Sequence, residues 1–213
     1  GHEIKNPLMI IGGFTEQLLR RSGLGERDAE KLRVILNEVR RLETMLAEMC
    51  DFTRPTPLKR TPCRLNDLIE ETLLLLEADL AERGVHLVRL LDPALPEASL
   101  DSSQVKQVLI NLVMNALEAM PGGGQLSVRT WAQEGGVVLE VQDTGKGIEP
   151  DNLKEVFSPF FTPKKKGTGL GLAISYKIVQ DHGGTIGLRS APEKGTTATV
   201  TLPLSPPGEP AAG

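Results

Sequence analysis

Residues 101–120 read DSSQVKQVLINLVMNALEAM. Val108, Leu109, Leu112, Val113 and Leu117 recur at the spacing of a helix packed into a core. Asp101 is placed to cap this helix, and the run PGGG at 121–124 ends it. Among the apolar residues stand Asn111 and Asn115, four apart and so one turn apart on a shared face. A polar pair in such surroundings needs partners. Two explanations are open. The amides are buried and bonded to backbone, or an amide oxygen serves a magnesium ion while phosphates supply the negative charge.

Working outward, NDLIEETLLLLEADLAERG (66–84) predicts an earlier helix, capped by Asn66 or Asp67 and stopped at Gly84. VHLVRLL (85–91) reads as a strand. After the central helix, QLSVRTWA (125–132) and GGVVLEVQDTG (135–145) predict a strand pair. TGLGLAISYKIVQDHGG (168–184) predicts a third helix, and TIGLRSA (185–191) and TTATVTLPL (196–204) the last strands. Helices against a mixed or antiparallel sheet make an α/β sandwich.

The N-terminal part differs in character. From residue 30 to 52, Leu32, Ile35, Val39, Leu42, Leu46 and Met49 alternate spacings of three and four, the repeat of a helix with one narrow apolar seam. Ile4, Leu8, Ile11 and Leu18 fit the same repeat. RRSGLGERD (20–28) lies between, with a cap expected at Asp28. Two helices have too little core to stand alone. An antiparallel hairpin that forms a four-helix bundle as a homodimer buries both seams. TRPTPLKRTP (53–62) then stiffens the connection with its prolines. The expected organisation is α+β: a helical domain at 1–54, a linker at 55–64, an α/β sandwich at 65–204 and a disordered tail at 205–213.

Composition narrows the function classes. The 213 residues are 39% apolar and 24% charged with a formal charge of −4. That mild acidity argues against broad nucleic-acid binding. No apolar run approaches the roughly 20 residues of a membrane span. Any membrane attachment is therefore expected through segments upstream of Gly1, with the catalytic part in the cytoplasm. Cys50 and Cys63 sit in no metal-type spacing and read as free thiols of a reducing compartment.

Two further stretches carry chemistry. DTGKGI (143–148) ends a strand; Asp143 can accept a hydrogen bond from an exocyclic amine, and Gly145 and Gly147 permit close backbone approach. FSPFFTPKKKGTGLGL (157–172) runs three alternating glycines, Gly167, Gly169 and Gly171, into a helix, where backbone N–H groups can meet phosphates. It is not a P-loop, because the lysines precede the glycines and no strand does. Lys164, Lys165 and Lys166 add charge, and Phe157, Phe160 and Phe161 suggest the anchor of a loop that opens and closes.

This order of asparagine helix, DTGKGI, phenylalanine–lysine segment, GTGLGL and GTT (195–197) resembles the ATP-binding domain of sensor histidine kinases, of the superfamily that includes gyrase. HEIKNPL (2–8) resembles the phospho-acceptor box of the same family. With FFTPK (160–164), it is most similar in style to nitrogen-regulation and sporulation kinases. The likeness spans about residues 2–204.

The resemblance implies a protein-histidine kinase using ATP and Mg2+. His2 is implied as the histidine that attacks the γ-phosphate, and Glu3 as the acid that orients it and takes its proton. Asn6 is implied to place a water for dephosphorylating a response regulator receiver domain. Asn6–Pro7 also looks like a cap followed by a first-turn proline, but the family runs its helix through a bend at the proline. Asn115 is implied as the metal ligand, with Asn111 beside the phosphates. Related ATPases such as gyrase carry a glutamate base at the place of Asn111. An amide cannot act as a base, which favours transfer over hydrolysis. Asp143 is implied to read the adenine amino group, with Gly145 and Gly147 in its box. Thr196, with Thr197 as the near alternative, is implied on the adenine side. Gly167, Thr168, Gly169, Leu170 and Gly171 are implied on the phosphate side, and Lys164 as the lid lysine nearest the γ-phosphate. The family's acceptor helix extends upstream of its histidine, so a chain starting at Gly1 is expected to dimerise and label weakly. A gyrase- or MutL-like clamp and a phosphatase-dominated scaffold are the competing readings.

Overall fold

A computed structural model describes residues 2–20, 24–53, 57–162 and 167–205, with only the backbone described at 2–5, 44, 48 and 50–53. Helix α1 (His2–Leu19) includes Pro7, so the helix runs through and Asn6 is not its cap. Helix α2 (Glu26–Thr53) pairs with it. Leu8, Thr15, Leu36 and Val39 are buried between them. Gly12 allows this approach, since a Cβ there would stand 3.3 Å from Val39 Cγ1. The expected seam is divided. Ile11, Phe14, Leu18, Ile35, Leu42 and Met49 keep 39% to 63% exposure and form a second apolar stripe facing away from the hairpin contact. Asp28 does not cap α2, which begins at Glu26; it lies in the first turn and pairs with Lys31 at 2.9 Å.

The second part holds β1 (Thr61–Cys63), α3 (Leu65–Glu82), β2 (Val85–Leu90), β3 (Ala98–Leu100), α4 (Ser102–Ala119), β4 (Gly124–Gln133), β5 (Gly136–Asp143), a short α5 (Pro150–Leu153), α6 (Gly171–Asp181), β6 (Thr185–Ser190) and β7 (Thr196–Pro203). Five strands form one sheet in the order β2-β4-β5-β7-β6, parallel only between β2 and β4. Alternate residues of the central strands, such as Leu126, Val128, Leu139, Val141, Val200 and Leu202, share one buried cluster with the apolar faces of α3, α4 and α6. This is the expected sandwich.

Three local expectations are corrected. Residues 61–63, placed in the linker, form β1 paired with β3, and Lys59 N–H donates to Asp101 Oδ2 at 2.9 Å. From Lys59 onward the chain is therefore tied to β3 and the start of α4. Neither Asn66 nor Asp67 caps α3, whose first turn starts at Leu65 after Arg64. The Asn66 amide instead donates to Asp92 O at 2.7 Å and accepts from Thr130 Oγ1 at 2.8 Å, tying α3 to the sheet. The third helix starts at Gly171 and not at 168, because Gly169 has φ +71°, outside the right-handed helical region.

Asp101 caps α4 as expected, its Oδ1 accepting from Ser103 N at 3.2 Å and Gln104 N at 3.3 Å. Asp101 N–H donates to His182 Nε2 at 3.0 Å, and His182 Nδ1 lies 2.7 Å from Ile178 O. With Nε2 accepting, Nδ1 carries the proton and donates to Ile178. This fully buried neutral imidazole ties the C-terminus of α6 to the N-terminus of α4. Cys63 is a free thiol whose pKa is raised by burial and by nearby Asp67, Glu97 and Glu71. Among the described residues no helix is long and apolar enough to cross a membrane.

Candidate functional site

A cleft of about 460 Å³ opens between α4, the start of α6 and the ends of β5 and β7. That volume suits a ligand of nucleotide size. Its apolar lining includes Met114, Val141, Ile148, Leu188 and Ala198. Its polar lining includes Asn111, Asn115, Asp143 and Thr196.

The sheet register supplies one end. Asp143 is the last residue of β5 and opposes Thr196 of β7. Asp143 is 6% exposed, and its Oδ1 accepts from Gly145 N at 2.8 Å and Thr196 N at 3.2 Å. Two backbone donors thus hold the carboxylate in place. Gly195 makes this possible. It has φ +75°, and a Cβ there would collide with the Asp143 carbonyl oxygen. Gly147 lines the cleft, whereas Gly145 is pressed against the Ala119 carbonyl at the end of α4 and does not.

The other end is built by α4 and α6. Asn111 and Asn115 both line the cleft, as their helical spacing requires. Asn111 Nδ2 donates to Gly171 O at 3.0 Å and to Ser175 Oγ at 3.3 Å. The open question about this pair is partly answered: Asn111 is bonded to backbone and also reaches the cleft, joining α4 to the first turn of α6. Gly167, Thr168, Gly169 and Gly171 line the same end. Leu170 does not. Its side chain is fully buried in the core and anchors the glycine run from behind.

Thr197, the near alternative to Thr196, does not line the cleft. Strand alternation turns Thr196 and Ala198 to the cleft and leaves Thr197 off its lining, paired with Gln142 and Arg189. Of the phenylalanines, Phe161 lines the cleft, Phe157 packs on Tyr176 with ring centroids 5.4 Å apart, and Phe160 is 57% exposed. Lys164, Lys165 and Lys166 lie outside the described residues, as do the side chains of His2 and Glu3 on α1. Asn6 is exposed on α1. Sequence reasoning missed Ser190, whose hydroxyl stands behind Thr196, and the lining residues Met114, Ile148, Leu188 and Ala198. Two carried a signal: Ile148 ends the DTGKGI stretch, and Ala198 alternates with Thr196.

Comparison with known proteins supplies the family. Residues 100–206 match the histidine kinase-, DNA gyrase B- and HSP90-like ATPase family, half of the chain. The chain belongs to this ATPase family. Residues 1–57 match the His Kinase A phospho-acceptor domain, which makes this a histidine-kinase member of the family and not a gyrase-like one. It is 38% identical to sensor histidine kinase ZraS of Escherichia coli (strain K12) over 96% of this chain and 44% of that protein. It is 38% identical to sporulation kinase D of Bacillus subtilis (strain 168) over 96% of this chain and 40% of that protein. The chain therefore spans less than half the length of these relatives. A crystal structure of histidine kinase ThkA in complex with response regulator protein TrrA superposes with a TM-score of 0.76, at 32% identity, over 98% of this chain and 60% of that one.

The residues present fit Mg2+ bound together with a nucleotide. Among the described residues no cluster of three or more His, Cys, Asp or Glu could hold a metal by itself. An ion at Asn115 would need phosphate oxygens to complete its shell, which is how magnesium is commonly held.

Proposed function

We propose that this chain is the catalytic core of a sensor histidine kinase, which autophosphorylates on His2 with ATP and passes the phosphoryl group to an aspartate of a response regulator. The observation that carries this is the convergence of Asn115, Asp143, Thr196 and the glycine-rich start of α6 on one cleft, in a chain that also holds a phospho-acceptor helix pair.

Asp143 and Thr196 receive the exocyclic amine of adenine, between apolar walls. The N-terminus of α6 and the 167–171 backbone face the triphosphate, where helix N–H groups favour anions. Asn115 would hold magnesium, which would neutralise phosphate charge. Lys164 supplies positive charge for the γ-phosphate. The His2 imidazole nitrogen attacks the γ-phosphorus, the bond to the β–γ bridging oxygen breaks, and ADP leaves with its electron pair. Glu3 takes the imidazole proton. Positioning and charge neutralisation carry most of this catalysis. An attacking carboxylate of the receiver domain then displaces the histidine nitrogen. Asn6, exposed one turn from His2, places the water for the reverse signal, phosphatase action on the regulator. Asn111 is committed to α6 and is no base, which favours transfer to His2 over hydrolysis.

The exposed stripe of Ile11, Phe14, Leu18, Ile35 and Leu42 supports a homodimer that completes a four-helix bundle. A chain of this kind works where ATP and receiver domains are, in the cytoplasm, with any membrane link made by other segments of the protein. The test is incubation with magnesium and γ-labelled ATP, comparing the full-length protein with its His2→Gln variant. Acid-labile, base-stable label is expected on the first and none on the second. Label that survives His2→Gln, or none at all despite ATP binding, refutes the assignment.

A further inference from the structure

Three strand ends meet at the cleft in register. Asp143 of β5 opposes Thr196 of β7, and Thr196 opposes Ser190 of β6. Asp143 and Thr196 line the cleft, while Ser190 stands one strand further out. Ser190 nevertheless joins three groups. Ile148 N–H donates to its Oγ at 2.9 Å, its hydroxyl donates to Gly195 O at 2.8 Å, and Thr196 Oγ1 lies 2.9 Å away.

A serine hydroxyl has one proton and two lone pairs. The Gly195 carbonyl can only accept, so it takes the Ser190 proton. One Ser190 lone pair takes the Ile148 hydrogen. The third contact then has one remaining solution, in which Thr196 donates to Ser190. No other assignment satisfies all three contacts. The Thr196 proton is thereby turned away from the cleft, and Thr196 offers only lone pairs to whatever binds there.

Building on the nucleotide reading of this cleft, we propose that Ser190 is a positioning residue that sets base specificity by locking Thr196 as an acceptor. Beside the Asp143 carboxylate, an acceptor-only Thr196 suits a base that presents an amino group. A base with a carbonyl at that place would bring lone pairs against lone pairs and leave them unmatched. Without the Ser190 hydroxyl, the Thr196 hydroxyl can rotate and donate to a carbonyl, so discrimination falls.

ADP and IDP differ at position 6, amino against oxo, and at N1, which carries a hydrogen only in IDP; this reversal of donor and acceptor on one edge makes them the probes. Their dissociation constants are measured calorimetrically on the wild type and on Ser190→Ala, Ser190→Thr and Thr196→Val. The wild type is expected to prefer ADP. In Ser190→Ala the preference should drop about tenfold, the scale of one net hydrogen bond. Ser190→Thr, which keeps a hydroxyl, should retain the wild-type ratio. If Ser190→Ala weakens both nucleotides equally, Ser190 only props the loop and the proposal is overturned. If Ser190→Ala does not fold, Thr196→Val must lower the ratio, because it removes the acceptor while sparing the Ser190 bonds to Ile148 and Gly195; an unmoved ratio there also overturns it. Failure of ADP to bind the wild type would instead overturn the nucleotide reading itself, and this inference with it.

Discussion

Asp101 performs two tasks with two oxygens, and substitutions can separate them. Oδ1 caps α4, accepting from Ser103 N at 3.2 Å, Gln104 N at 3.3 Å and the Ser103 hydroxyl at 2.6 Å. Oδ2 accepts from Lys59 N at 2.9 Å and so pins the end of the interdomain connection. Losing an N-cap costs about 1 kcal/mol, and at most about 2. Leaving the partly buried Lys59 N–H without its acceptor adds about 1 kcal/mol. Asp101→Ala is therefore expected to destabilise the domain by about 2–3 kcal/mol. Asp101→Asn has a single oxygen. If that oxygen caps α4, the amide NH2 faces Lys59 N–H, donor against donor, so the cap survives and the pin does not. The expected loss is about 1 kcal/mol.

The acid dependence follows from the same contacts. Burial pushes the Asp101 carboxyl up, but the Ser103 hydroxyl and the N–H groups of Lys59, Gln104 and Ser103 outweigh it and leave its pKa below the ordinary value. A folded value below the unfolded one means the contribution is complete above about pH 4 and is lost as pH falls through the folded value. Urea denaturation read by the fluorescence of Trp131, the single tryptophan, measures all three proteins. The gap between wild type and Asp101→Ala should be full at neutral pH and shrink below about pH 4. An Ala variant within about 0.5 kcal/mol of wild type at neutral pH, or an Asn variant as unstable as Ala, would refute this division of labour.

Two further outcomes are expected. Gly195→Ala should abolish ADP binding in calorimetry and lower stability by at least about 2 kcal/mol, since it combines a left-handed φ of +75° with a Cβ driven into the Asp143 carbonyl; ADP affinity within threefold of wild type would contradict it. Burial, helped by Arg60, holds the His182 pKa below the ordinary imidazole value against the opposing influence of Ile178 O, Asp101 and Asp181. His182 stabilises the fold fully above its unfolded value of about 6.5, and the benefit declines as pH falls below it. The urea midpoint of wild type should therefore exceed that of His182→Leu by less at pH 5.5 than at pH 7.5, and an equal gap at both would exclude this titration.

The sequence by itself determined much of the architecture, because the signals are local. The apolar spacing of 108–117 and the cap at Asp101 specify α4 within its own twenty residues, and helical geometry alone puts Asn111 and Asn115 on one face. Strand alternation and the glycines near the strand ends marked β4, β5 and β7 in the same way. What the tertiary structure decided depends on residues far apart in the chain. Whether Thr196 or Thr197 faces the cleft follows from the register of β7 on β5. That Ser190 stands behind Thr196 follows from the register of β6 on β7. Leu170 looks like part of a phosphate loop until the core claims its side chain. Asn66 looks like a cap until Asp92 and Thr130 offer its amide better partners. Nor does the heptad pattern say which residues the hairpin uses, since either Ile35 or Leu36 can fill a helix seam. Packing gave Leu36 and Val39 to the chain's own hairpin and left Ile35 outward. Periodicity fixes which residues share a face, but only the neighbouring element decides what that face meets.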